Sequence, residues 1–229
     1  MDPTTALDKI KARIRKAAAQ AGRSPEAIRL LAVSKGKPAE AIRNLAGAGH
    51  TAFGENYLQE ALDKQGELLD LRGLEWHFIG PLQSNKTRGV AEHFDWVHSV
   101  DRVKIARRLH QQRPDSLAPL NVCIQVNTSG EPQKAGLAAA ELGALAEAIR
   151  DLPRLRLRGL MCLPAPDQGT ESRRAEFRQL RELKASLEAK GHPLDTLSMG
   201  MSADLEDAIR EGSTLVRVGS ALFGAREPG

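Results

Sequence analysis

The sequence predicts an α/β fold, a single closed (β/α)8 TIM barrel with one extra N-terminal helix, and three observations carry that expectation. Eight apolar, β-rich runs of strand length alternate with helix-compatible stretches, and turn residues mark the joins. Such alternation calls for parallel strands joined by right-handed crossovers. A chain of 229 residues is the size of eight compact βα units in one domain, which favours closure over the runner-up, an open doubly wound sheet.

The elements follow in order. Residues 1–22 form the capping helix: Leu7, Ile10, Ile14 and Ala17 or Ala18 recur at three- and four-residue steps before Gly22. Its other face carries Lys9, Lys11, Arg13, Arg15 and Lys16, a pattern that usually means a solvated face. The predicted strands are 30–35, 51–55, 75–80, 95–100, 120–127, 155–163, 196–201 and 214–219. Predicted helices between them include 39–48, 56–71, 102–113, 138–152, 170–190 and 203–211. No linker or low-complexity segment divides residues 1–229, so one domain is expected.

Composition narrows the function classes. The 33 Lys+Arg and 29 Asp+Glu leave a charge of +4, interspersed rather than blocked, which gives no nucleic-acid footprint. No run of 18 apolar residues and no basic n-region followed by an apolar h-region is present, so a cytoplasmic protein without membrane contact is expected. Cys123 and Cys162, the two cysteines, each sit in an apolar run and read as inert thiols. The six histidines show no metal-ligand spacing, and His77 and His98 fall within strand patterns. Serine-hydrolase, P-loop and dinucleotide motifs are missing.

In a barrel of this kind, chemistry sits at the C-terminal ends of strands. The first strand runs Leu30-Leu31-Ala32-Val33-Ser34-Lys35, so a lysine arrives at that face. Burial favours its neutral amine, which suits Schiff-base chemistry, although an amine that merely reaches out of the core is the plainer alternative. In the last strand, alternation turns Val216 and Val218 one way and Arg217 with Gly219 the other. An inward guanidinium needs an acceptor, either a ligand or a structural partner such as Glu55. Gly219-Ser220 resembles the anion site after the late strands of many barrels, and Ser202 reads either as the N-cap of the next helix or as a second anion ligand. A Schiff-base lysine beside an anion site fits a phosphorylated aldehyde.

Several ordered strings then carry a resemblance over most of the chain. They are Leu31-Ala32-Val33-Ser34-Lys35, Phe53-Gly54-Glu55-Asn56-Tyr57, the run from Glu75-Trp76-His77-Phe78 through Gly80-Pro81-Leu82-Gln83-Ser84-Asn85-Lys86, Arg158-Gly159-Leu160-Met161, Ser198-Met199-Gly200-Met201-Ser202 and Arg217-Val218-Gly219-Ser220. In these the sequence resembles the YggS/PROSC family of pyridoxal 5′-phosphate (PLP) homeostasis proteins, related to the alanine racemase N-terminal domain. The resemblance implies that Lys35 holds PLP as an internal aldimine, that Arg217 faces the pyridine nitrogen, that Ser202, Gly219 and Ser220 receive the phosphate, and that Asn56 lies beside the cofactor. Gly36 departs from the family pattern, where a larger polar residue such as Thr is expected.

The function so implied is intracellular vitamin B6 homeostasis: binding and delivery of PLP without catalytic turnover, by a monomer whose recipients are apo PLP-dependent enzymes. A PLP-dependent racemase is the alternative and a cofactor-free Schiff-base aldolase a third reading. The related racemases take an acid/base tyrosine from a second domain; this chain is expected to lack one, since it reaches Gly229 soon after the last strand, and its sole tyrosine is Tyr57. Two further amines, Lys37 and Lys134, are candidates for assisting cofactor exchange.

Overall fold

The computed structural model describes residues 3–131, 133–165 and 169–224. Pro132 in the loop after the fifth strand, and the chain end on which the expectation about a second domain rests, lie outside them. The eight strands are β1 (Arg29–Val33), β2 (Ala52–Glu55), β3 (Glu75–Phe78), β4 (Trp96–Val100), β5 (Leu120–Gln125), β6 (Leu155–Met161), β7 (Thr196–Ser198) and β8 (Leu215–Val218). They pair in sequence order, all parallel, and β8 returns to β1 to close the barrel.

Helices α2 (Ala39–Gly47), α3 (Leu58–Glu67), α4 (Thr87–His93), α5 (Val103–Gln112), α6 (Leu142–Arg150), α7 (Thr170–Ala189) and α8 (Leu205–Arg210) connect successive strands, and the one-turn α9 (Ser220–Phe223) follows β8. The predicted stretches omitted α4, whose seven residues include Gly89 and are too few to display a helical period. The N-terminal α1 (Pro3–Gln20) buries Ala6, Leu7, Ile10, Ile14, Ala17 and Ala18. It packs on α2, α8 and α9, filling the flank that a helix as short as α9 leaves open.

One continuous apolar layer lies between the strands and these helices, with Phe53, Phe78, Val97, Val122, Leu160, Val216 and Val218 contributed from the sheet. Parallel strands covered by helices require such a layer, because every outward side chain would otherwise face water. Two small apolar clusters sit apart from it: Leu31, Ala52 and Leu215 with Ile79, and Trp96 with Cys123 and Met161. Among the described residues no helix is long and apolar enough to cross a membrane.

Most strands stop short of the predicted ends. β1 ends at Val33 rather than Lys35, β3 at Phe78 rather than Gly80, and β7 at Ser198 rather than Met201. The residues beyond these ends turn into the loops that build the C-terminal mouth.

Candidate functional site at the C-terminal mouth

A cavity of about 540 Å³ opens at the C-terminal ends of the strands. Its wall includes Lys35 and Lys37 after β1, Asn56 after β2, Ser202 after β7, Arg217 on β8, and Gly219 and Ser220 after β8. The six residues expected to hold the cofactor, Lys35, Asn56, Ser202, Arg217, Gly219 and Ser220, therefore lie on one wall. Apolar side chains of Val33, Ile79, Leu163 and Met201 complete it.

Lys35 is not delivered by the strand itself. Ser34, Lys35, Gly36 and Lys37 form a tight turn in which Lys37 N donates to Ser34 O at 3.0 Å. Gly36 sits at φ 68°, a left-handed conformation that glycine adopts at little cost and a threonine would strain. The departure from the family pattern at this position thus matches the turn that carries Lys35.

Behind the turn lies a buried polar cluster that sequence reasoning missed. Lys64, on α3, donates to Ser34 O at 2.8 Å, to Glu55 Oε1 at 2.7 Å and to Glu60 Oε1 at 2.6 Å. Ser34 Oγ donates to the same Glu55 oxygen at 2.7 Å, and Gly36 N donates to Glu60 Oε1 at 2.5 Å. Burial pushes the Glu55 carboxyl up from its usual range, partly offset by Lys64. Glu55 is accordingly the partner of Lys64 and Ser34, not of Arg217. The one available signal was the i,i+4 spacing of Glu60 and Lys64 on a predicted helix.

Arg217 is buried inside the barrel and takes backbone and hydroxyl acceptors instead of a carboxylate. It donates to Ser198 O at 2.6 Å, Ser198 Oγ at 2.7 Å and Cys162 O at 2.9 Å. Among the described residues these commit three of the five guanidinium N–H groups, and two remain on a side chain that lines the cavity. Burial lowers its pKa from the ordinary arginine value, which still leaves it a cation at neutral pH.

The remaining wall residues are placed by backbone packing. Asn56 is held where the chain after β3 comes closest: a Cβ on Gly80 would lie 2.1 Å from Asn56 O, so only glycine permits the approach. Asn56 Oδ1 is buried without a hydrogen-bond partner. Ser202 is not the N-cap of α8. Asp204 occupies that position, and its Oδ1 accepts from Met201 N at 2.5 Å, leaving Ser202 in the turn with its side chain on the cavity. Arg13 of α1 braces this turn, donating to Ser202 O at 3.0 Å while its Nε reaches Glu206 at 2.8 Å.

Two residues singled out in the sequence, the exchange candidate Lys134 and the sole tyrosine, lie outside the wall. Lys134 is half-buried in the loop after β5 and pairs with Glu131 at 3.5 Å, and Tyr57 is 62% exposed. Cys123 and Cys162 are buried free thiols, each pushed up to about 12 by burial, as an inert reading requires.

Residues 5–227 match the model of the family described as "Alanine racemase, N-terminal domain". The chain is 62% identical over 223 residues to the pyridoxal phosphate homeostasis protein of Pseudomonas aeruginosa, covering 97% of this chain and 95% of that one. The chain belongs to the pyridoxal phosphate homeostasis protein family. Its Escherichia coli K12 member is 55% identical over 223 residues, with 96% of this chain and 95% of that one covered. PipY of Synechococcus elongatus, solved with PLP bound, superposes at a TM-score of 0.82 with 41% identity, covering 92% of this chain and all of its own. In this homeostasis-protein barrel the donor set fits such a ligand. An amine, a guanidinium with N–H groups to spare, two hydroxyls and an orphaned amide oxygen converge on a cavity of small-ligand size.

Proposed function

We propose that this protein binds PLP in the C-terminal mouth and stores and hands on the cofactor in the cytoplasm, acting as a monomer with apo PLP-dependent enzymes as recipients. The observation that carries the reading is the convergence of Lys35, Arg217, Ser202 and Ser220 on one cavity, in a chain 62% identical to a protein named for pyridoxal phosphate homeostasis. Bound PLP supplies an aldehyde that captures amines and a ring that withdraws electrons.

Lys35 supplies the amine that takes the aldehyde, and the Lys64 cluster fixes the turn from which it projects. Ser202, Gly219 and Ser220 receive the phosphate, with Asn56 beside the ring. Arg217 donates to the ring nitrogen; as a permanent cation it has no site to accept a proton, so it keeps that nitrogen unprotonated and weakens the electron withdrawal. Turnover of an amino acid also needs a residue that moves a proton at the substrate carbon. Among the described residues the wall offers the amines of Lys35 and Lys37 but no carboxylate, imidazole or phenol. Storage with slow exchange suits that inventory better than racemisation.

The test is to load the purified protein with PLP, reduce it with borohydride and map the modified peptide. The label is expected on Lys35, with visible absorbance lost in Lys35→Ala. A Lys35→Ala protein that keeps full absorbance, labelled elsewhere, overturns the assignment. Racemisation of alanine by the loaded protein at the rate of a dedicated racemase overturns the storage role.

A further inference from the structure

Inside the strands a chain of hydrogen bonds joins the two mouths of the barrel. At the N-terminal mouth Arg29 Nη2 and His77 Nε2 both lie 2.5 Å from Glu75 Oε1. His77 Nδ1 lies 2.9 Å from His98 Nε2, and His98 Nδ1 lies 2.8 Å from Ser198 Oγ. Ser198 Oγ is the hydroxyl that accepts from Arg217 at 2.7 Å. His77, His98 and Ser198 are fully buried, and His77 stacks on Trp96 with ring centres 5.3 Å apart.

The two ends fix the direction of this chain. A carboxylate only accepts and a guanidinium only donates, a neutral imidazole does one of each, and a hydroxyl donates once and accepts up to twice. Four links run from Glu75 to Arg217, and the four members other than Glu75 each contribute one N–H or O–H to them. With both rings neutral, the Glu75 carboxylate leaves one assignment that satisfies every link. Arg217 donates to Ser198, Ser198 to His98 Nδ1, His98 Nε2–H to His77 Nδ1, and His77 Nε2–H to Glu75. Burial lowers the pKa of both imidazoles, of His98 well below its ordinary value, in keeping with two neutral rings. The titratable and charged groups acting on them are Glu75, Arg29 and Asp95 for His77, and His77, Arg217 and Arg29 for His98; Asp204 acts on Arg217 from the α8 side.

We propose that Glu75, His77, His98 and Ser198 are positioning residues for Arg217: a directed chain, anchored on an anion at the opposite mouth, that holds the guanidinium at the angle and charge state the cavity uses. Because Ser198 spends its one proton on His98, Arg217 cannot swing its Nη1 away without leaving Ser198 Oγ to accept from no donor in a fully buried setting. A change at Glu75, on the far side of the barrel, is therefore felt at the cavity.

The inference rests on the PLP-binding reading for its functional consequence, and two measurements separate the two. In the ligand-free protein, long-range ¹H–¹⁵N correlation of the imidazoles at pH 7 should find both His77 and His98 neutral with the proton on Nε2. A proton on Nδ1 of either ring, or an imidazolium, overturns the directed chain whether or not PLP binds. In the PLP-loaded protein, the absorbance of the bound cofactor is followed against pH in the parent, Ser198→Ala, Ser198→Thr and Glu75→Gln. Ser198→Ala and Glu75→Gln should displace the pH midpoint in the same direction at unchanged occupancy, and Ser198→Thr, which restores the hydroxyl, should return it to the parental value. An unmoved midpoint in Ser198→Ala and Glu75→Gln overturns the positioning role. If the parent takes up no PLP, the binding reading fails, and the tautomer measurement still decides the chain.

Discussion

Outside the strands of this barrel, Phe53, Phe78, Phe94, Val97 and Val218 meet the helices in a continuous apolar layer. Inside them, Arg217, Ser198, His98, His77 and Glu75 run as a hydrogen-bonded column past Trp96. The outer layer is stabilised by removing apolar area from water, a term insensitive to direction and to pH. The column depends on each donor meeting its acceptor, since a buried polar group without a partner bears its full desolvation penalty. The outer layer should thus govern whether the chain folds, and the column what the mouth can do.

Four perturbations sharpen that contrast, in decreasing order of expected effect. Phe177→Ala, at a fully buried position of α7, should lower the unfolding free energy by about 3–5 kcal/mol. A chemical denaturation curve measures this, and the labelling pattern at Lys35 should be unchanged under folding conditions. Lys64→Met strands the fully buried carboxylate of Glu55 and should cost about 3 kcal/mol. Here, unlike at Phe177, PLP capture should also slow, because the Ser34–Gly36 turn loses its anchor; stopped-flow absorbance at matched folded fraction distinguishes the two cases.

The third perturbation is acid. Folded-state pKa values below the ordinary 6.5 for His77 and His98 mean that the unfolded chain binds more protons below that pH. Stability should therefore be level in this respect above pH 6.5 and fall as pH drops below it, by up to about 1.4 kcal/mol per pH unit for each ring. His50, also lowered by burial, adds in the same direction. Urea midpoints between pH 7.5 and 5 report the slope, and His98→Gln should flatten it. A slope undiminished in that variant would place the acid sensitivity at groups other than His98.

The smallest effect belongs to the braces of the mouth. Arg13→Ala removes a partly exposed ion pair with Glu206, about 0–1 kcal/mol, while freeing the turn that carries Ser202. PLP should then be released faster to an apo-enzyme trap with little change in melting temperature. Under the same trap assay Lys37→Ala should alter transfer more than Lys134→Ala, since Lys37 lines the cavity and Lys134 lies beyond it in its pair with Glu131.

Much of this molecule was determined locally and could be read in order along the chain. Alternation in Leu215-Val216-Arg217-Val218 sent the valines outward and the arginine inward, and the period of Leu7, Ile10 and Ile14 marked α1. Those signals survive in one dimension because a strand or helix exposes a fixed face every two or 3.6 residues. The strand ends located Lys35, Ser202, Gly219 and Ser220, the resemblance added Asn56, and the fold gathered them on one wall. What the sequence left open depends on residues distant in the chain. Glu55 was open to Arg217 or Lys64, Ser202 to capping α8 or lining the cavity, and His77 and His98, 21 residues apart, gave no sign of bonding to each other and to Ser198, 100 residues further on. Barrel closure alone brings β3, β4, β7 and β8 around one axis, and a polar side chain inside it finds its partner by position in that ring rather than by any spacing along the chain.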